Sequence, residues 1–148
     1  MPRSNVLLSI CLAAGPALGC APSDTSHLTP EQEARFTQEG ILHRGANLTF
    51  RYTHDAGSRD AGWENRVASI VVTKQSVLIY KNEKIGIEVT PASRRAYQVH
   101  READRVRITA GSGGSRETWS FTPPDSADAW TEAIRAVIKA SKSASNEP

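Results

Sequence analysis

Between residues 47 and 121 apolar side chains gather in seven short strand-like runs, several with an alternating pattern, and from residue 130 they recur at every third and fourth position. That change of period limits the folds open to the chain. Alternation suits a sheet with one wet face, whereas a 3.6-residue repeat suits a helix lying on a core. In NLTFRYTH, Leu48, Phe50 and Tyr52 alternate with Thr49, Arg51 and Thr53. RVASIVVT and SVLIYK are richer still in β-branched residues, with Lys74-Gln75 at a tight-turn position between them. KIGIEVT follows Asn82-Glu83 and stops at Pro91. RAYQVHRE and DRVRITA meet around Ala103-Asp104, and RETWSFT follows the glycine-rich GSGGS at 111–115. Seven strands at spacings of about 8–12 residues give the rhythm of an antiparallel barrel or sandwich.

The closing helix has the clearest pattern. DSADAWTEAIRAVIKASK places Trp130, Ala133, Ile134, Val137 and Ile138 on one continuous stripe. Asp125, after Pro123-Pro124, is the expected N-cap, and Arg135, Lys139 and Lys142 suit the negative end of the helix dipole. Trp130, Ile134, Val137 and Ile138 are the expected core residues, with a flexible tail over 142–148. Ahead of the strands, LTPEQEARFTQEG carries Thr29 as N-cap, Pro30 in the first turn, Gln32 to complete a capping box and Gly40 as the stop. This predicts a helix over 30–39. Its only large apolar residue is Phe36, so it is expected on the surface.

Seven strands followed by a helix with a Trp on its apolar face resemble the pleckstrin-homology (PH) superfold over about residues 41–141. The resemblance implies a mainly β fold: a PH-like seven-stranded antiparallel barrel or sandwich capped by the C-terminal helix, with Trp130 structural. The short helix over 29–40 precedes it. Two modes of binding are also implied. Phosphoinositides would bind a basic cluster in open-end loops, here 54–65, 81–84 and 111–116. Those loops interleave Arg59, Lys81, Lys84 and Arg116 with Asp55, Asp60, Glu64 and Glu83, and Arg66 has no basic residue two positions before it. Mixed charge builds no concentrated positive field, which argues against phosphoinositides. The other mode is partner recognition in the groove between the fifth strand and the terminal helix, flanked by Arg94, Arg95, Tyr97 and Val99. Trp63, in the long first loop AGSRDAGWENR, is a further candidate contact.

The N-terminus addresses location. Both cysteines, Cys11 and Cys20, fall in the first twenty residues, which excludes a disulfide framework for the domain. The apolar run Val6 to Leu18 is shorter than the roughly 20 residues a membrane span needs and fits the h-region of a signal peptide. The tetrad Ala17-Leu18-Gly19-Cys20 resembles the lipobox of bacterial lipoproteins, with Ala and Leu transposed from the family's usual order. The resemblance implies cleavage of residues 1–19, a lipid on Cys20 and a lipid-anchored tether over 20–28. Ala21 after the cysteine implies the outer membrane, facing the periplasm. The alternative is a plain signal peptide cut near Gly19, giving a soluble periplasmic or secreted protein.

The remaining chemistry is sparse. The 148 residues fit one domain, and 18 basic against 16 acidic side chains leave a net charge of +2, with no basic stripe for nucleic acid. His27, His43, His54 and His100 lack metal-ligand spacing, GSGGS lacks the lysine of a phosphate loop, and no serine lies in a nucleophile elbow. No enzyme activity, metal or cofactor is therefore expected. The reading is a non-enzymatic envelope lipoprotein whose PH-like domain acts as a protein-binding adaptor for envelope proteins. Its alternative is a carrier of a small apolar ligand or lipid in the cell envelope.

Overall fold

The structure is a computed structural model and describes residues 28–55, 60–81, 84–93, 95–112 and 115–144. Cys20, most of the expected tether, Arg94 and residues 145–148 lie outside the described residues.

Helix α1 (Pro30–Glu39) starts as its sequence predicts. The Thr29 hydroxyl accepts from the Gln32 backbone N–H at 3.3 Å, and the Gln32 side chain accepts from the Thr29 N–H at 2.9 Å. Gly40, at φ 79°, closes it. Seven strands follow: β1 (Ile41–Asp55), β2 (Asp60–Thr73), β3 (Val77–Lys81), β4 (Lys84–Val89), β5 (Ala96–Glu102), β6 (Arg105–Ser112) and β7 (Ser115–Phe121). Helix α2 (Ala127–Ala144) ends the described chain. All strand pairs are antiparallel, in one sheet of order β4-β3-β2-β1-β7-β6-β5. Helix α2 packs on β5 and β6 near one edge and also on β2 and β4 toward the other. One helix reaches both edges only if the sheet curls around it. The architecture is a half-barrel with α2 in the gap, mainly β and PH-like in element order.

The inner face follows the alternation. Phe50, Ile70, Val72, Val77, Ile79, Val106, Ile108, Trp119 and Phe121 are buried against Trp130, Ile134, Val137 and Ile138 of α2. The Trp130 ring stacks on His43 at 5.0 Å and meets Phe121 edge-on at 5.5 Å. Its Nε1–H donates to Asp125. Asp125 is therefore not the N-cap: Ser126 takes that place, its hydroxyl accepting from the Ala129 N–H at 3.3 Å. A buried indole N–H needs an acceptor, and the nearest carboxylate serves it. Helix α2 also continues to Ala144, past the expected start of the tail at 142, with Ser141 buried.

Two loops are shorter than expected. Strand β2 starts at Asp60, and the pairs Thr53↔Gly62, His54↔Ala61 and Asp55↔Asp60 extend the first hairpin. Trp63 thus belongs to β2, opposite Tyr52, and not to a long loop. The ladder offered by β1 carries a segment whose Asp, Gly and Asn disfavour strands on their own. The same holds for GSGGS, where Gly111↔Arg116 and Ser112↔Ser115 are paired. The β5–β6 turn sits at Ala103-Asp104 as expected, with Ala103 at φ 52°.

The outer face divides in two. In β2 and β3 the apolar run is continuous, and Val71, Leu78 and Tyr80 turn away from the main core. They form a second cluster with Leu28 and Phe36, whose side chain is fully buried. Helix α1 is thus a cover over this half, held by its one aromatic residue. Polar links fix its position: Glu39 accepts from Thr73 Oγ1 at 2.6 Å and Ser76 Oγ at 2.5 Å, and Arg35 pairs with Glu88 at 2.7 Å. No described helix covers the other half, formed by β1, β7, β6 and β5.

Candidate functional site

Strand alternation decides what the uncovered half presents. Because Phe50, Tyr52, Trp119, Ile108 and Val99 turn inward, their neighbours turn out. Register then aligns those neighbours across four strands. Arg51 pairs with Ser120, Ser120 with Arg107 and Arg107 with His100. The next outward rung is Thr53, Thr118, Thr109 and Gln98, and the one after is Asp55, Arg116, Gly111 and Ala96. The surface is mostly polar and rich in arginine.

It is also hollowed. A concavity of about 610 Å³ lies over β5 and β6, lined by Gln98, His100, Arg101, Glu102, Arg107, Thr109 and Arg116, with Ala96, Ala110 and Gly111. A second, of about 230 Å³, is lined by Arg51, Thr53, Glu102, Arg105, Arg107, Thr118 and Ser120. Glu102 and Arg107 belong to both, and they pair at 2.5 Å to form the ridge between them. The Nε atoms of Arg105 and Arg107 are buried with no hydrogen-bond partner among the described residues. Arg101, at the rim, pairs with Asp128 of α2 at 3.1 Å.

Across the sheet, on the inner side, Glu117 gathers a second polar group. Its carboxylate accepts from Tyr52 Oη at 3.0 Å and from Arg95, with His54 Nδ1 at 3.7 Å. Burial alone raises the Glu117 carboxyl, but the hydrogen bonds from Arg95 and Tyr52 and the charges of Arg95 and His54 outweigh it and hold the group below its ordinary value. Burial, and then Glu117, push the Tyr52 hydroxyl upward. The hydrogen bond to Glu117 raises Arg95 against the opposing effect of burial. The Arg95 guanidinium also lies 5.9 Å from the ring centres of both Tyr97 and Trp119. This cluster ties β1, β7 and the residue before β5 together.

The residues singled out from sequence are scattered by this geometry. Arg95 is exposed but committed to Glu117. Tyr97 is only 5% exposed, as is usual for the main core, and burial raises its hydroxyl. It cannot offer its ring to a partner, which corrects its place as a groove contact. Val99 is likewise buried, and the space beside β5 on the inner side is taken by α2. Arg94 lies outside the described residues. No single stretch of sequence marks the arginines of the outer face as a group. Arg105 and Arg107 could have been read from the alternation in DRVRITA, but nothing local joins them to Arg51, which needs β7 between them. Among the described residues, no cluster of His, Cys, Asp and Glu could hold a metal ion, and no helix is long and apolar enough to cross a membrane.

Fold and site together define a class: a small curled-sheet domain closed by helix α2, with a largely polar outer face that carries two hollows. No family model and no curated protein matches the chain. Among solved structures it is similar to an apo structure of an activated truncation of Vav1, with a TM-score of 0.42 and 12% identity, over 76% of this chain and 29% of that one. The chain therefore spans under a third of that neighbour's length.

Proposed function

We propose that this chain is a non-enzymatic binding module of the cell envelope, a PH-like adaptor lipoprotein anchored through Cys20, that docks an envelope protein on the uncovered half of its sheet. The observation that carries the reading is the division of the outer face. Val71, Leu78 and Tyr80 receive a helix of their own, while the neighbouring half is largely polar and hollowed, with no helix over it among the described residues. Polar concave surfaces with arginine favour recognition over core packing. A carrier of apolar ligands needs an apolar chamber, and the inward residues instead pack on Trp130 and its helix.

The test is in-cell photo-cross-linking, with probes at Gln98 and Thr118 of the outer face and a control probe at Arg135 on α2. A discrete adduct with one envelope protein from the sheet probes alone is the expected result. Equal labelling from Arg135, or no adduct from a properly exported protein, refutes this surface. Cys20→Ala is expected to release the chain from the membrane fraction. Unchanged fractionation would remove the anchor from the reading.

A further inference from the structure

We propose that the larger hollow takes an acidic side chain, Asp or Glu, carried on an extended segment of the partner. The inference rests on the adaptor reading and names the chemistry that partner would bring. It starts from which charges in the hollow are already engaged. Arg107 pairs with Glu102 at 2.5 Å. Arg101 pairs with Asp128 at 3.1 Å and donates from Nε to the Ala103 carbonyl at 2.9 Å. Both guanidinium groups therefore have their counter-charge beside them. Arg116 does not: it is exposed, and no hydrogen bond, ion pair or ring contact engages its side chain among the described residues. Asp55, its neighbour on the far side of β7, neither lines the hollow nor pairs with it. The hollow thus holds one uncommitted guanidinium, which matches one carboxylate fork to fork. A phosphate, at about −1.5 to −2, carries more charge than that one group balances.

Register sets the shape. Outward positions on β5 and β6 form three rungs, Ala96 with Gly111, Gln98 with Thr109 and His100 with Arg107. Alternate residues of a strand lie about 6.6 Å apart, so the trough runs for roughly 13 Å. That is the length of about four extended residues. Arg116 stands beside the first rung, directly across from Gly111. Gly111 bears no side chain, and a Cβ there would meet only the Ser115 carbonyl oxygen, at 3.9 Å. With Ala96 next to it, this rung is a low floor under the Arg116 fork. A low floor lets a main chain continue past Arg116, which suits a side-chain carboxylate better than a chain end. The middle rung supplies the Gln98 amide and the Thr109 hydroxyl, each both donor and acceptor, as the groups of a peptide main chain require. Neither is engaged by another side chain among the described residues. No Phe, Tyr or Trp lines the hollow among those residues, so it lacks the stacking platform that an apolar ligand or a sugar ring would use.

The test is backbone amide NMR on the purified full chain at low salt, with three synthetic peptides titrated to about 10 mM. They are acetyl-Ser-Glu-Ser-Ser-amide, its Gln counterpart, and that Gln peptide with a free C-terminal carboxylate. The Glu peptide should give saturable shifts centred on Gln98, Thr109 and Arg116. The Gln peptide should bind about tenfold more weakly or worse, and the free carboxylate should not restore binding. Added salt should weaken the Glu peptide, because the pair at Arg116 is exposed. Arg116→Gln should weaken it by about tenfold or more. Ala96→Leu, which raises the floor at constant charge, should do the same, while Arg135→Gln leaves binding unchanged. Both sheet positions are exposed, so thermal melts of the variants should match the parent. No saturable binding, equal binding of the Glu and Gln peptides, or indifference to Arg116→Gln would overturn the proposal. Tighter binding of the free-carboxylate peptide would overturn it in favour of a chain end. In cells, a Gln98 adduct that survives Arg116→Gln keeps the adaptor reading and sinks this one. Absence of any adduct counts against the adaptor reading alone, since the titration needs no partner protein.

Discussion

Removing the Phe36 ring tests whether the second cluster holds α1 in place. Phe36 is fully buried among Val71, Leu78, Tyr80 and Leu28, and it is the one buried residue of its helix. Truncating a buried Phe to Ala costs about 3–5 kcal/mol, of which roughly 2 is lost transfer energy and the rest an unfilled cavity. Here the low end applies, because α1 can lift away locally and leave no void. A ten-residue helix is too short to persist unsupported, so release means unfolding of that segment. Phe36→Ala should therefore lower stability by about 3 kcal/mol. With a urea slope near 1.5 kcal/mol/M, the midpoint moves down by about 2 M. Tryptophan fluorescence follows the transition, and hydrogen exchange over residues 30–39 reports the helix itself. A shift below about 0.5 M with those amides still protected would show that α1 is held by Glu39 and Arg35 instead, and the argument from the aromatic anchor would fail.

Three further outcomes follow from the same geometry. Glu117 has its folded-state carboxyl below its unfolded value, so its contribution is present above about pH 4.3 and is lost as pH falls through the depressed value. Glu117→Gln should flatten that acid limb in a pH series of thermal melts; an unchanged slope would remove Glu117 as the cause. Ala103 holds a positive φ at the first position of a two-residue hairpin, where glycine is at ease, so Ala103→Gly should stabilise by about 1 kcal/mol in urea melts. Trp130→Ala removes the largest fully buried side chain and should cost about 3–5 kcal/mol by the same measurement. A loss under about 1 kcal/mol would contradict its place at the centre of the core.

Legibility in the sequence followed the range of the interaction. The capping box at Thr29-Gln32 and the stripe on α2 are written within a few residues, and both read correctly. Strand number was equally plain, since alternation is local. What failed was non-local. Trp63 reads as loop because its neighbours disfavour strands, and only the ladder with β1 overrides them. Tyr97 reads as a surface contact because Arg94 and Arg95 precede it, yet the pleat turns its ring inward. The α1 cover was half visible: the unbroken apolar run from Ile70 to Val72 signals a strand buried on both faces. The arginine face needed the register of four strands, and no single stretch of sequence carries that.

The long strand β1 has a consequence for how the chain is completed. Its C-terminal end pairs with β2 on one side and β7 on the other, and Tyr52 reaches Glu117 across 65 positions. The β1–β4 meander can form hairpin by hairpin as it is synthesised, since each pairing is local. The seam to β7 cannot, and the apolar interior stays open until α2, which follows β7, arrives to fill it. Closing distant pairs is slow because loop entropy opposes them until late contacts reward it. The eighteen-residue helix α2 therefore decides when the core can close: a variant lacking it would keep the seven described strands and have no closed core.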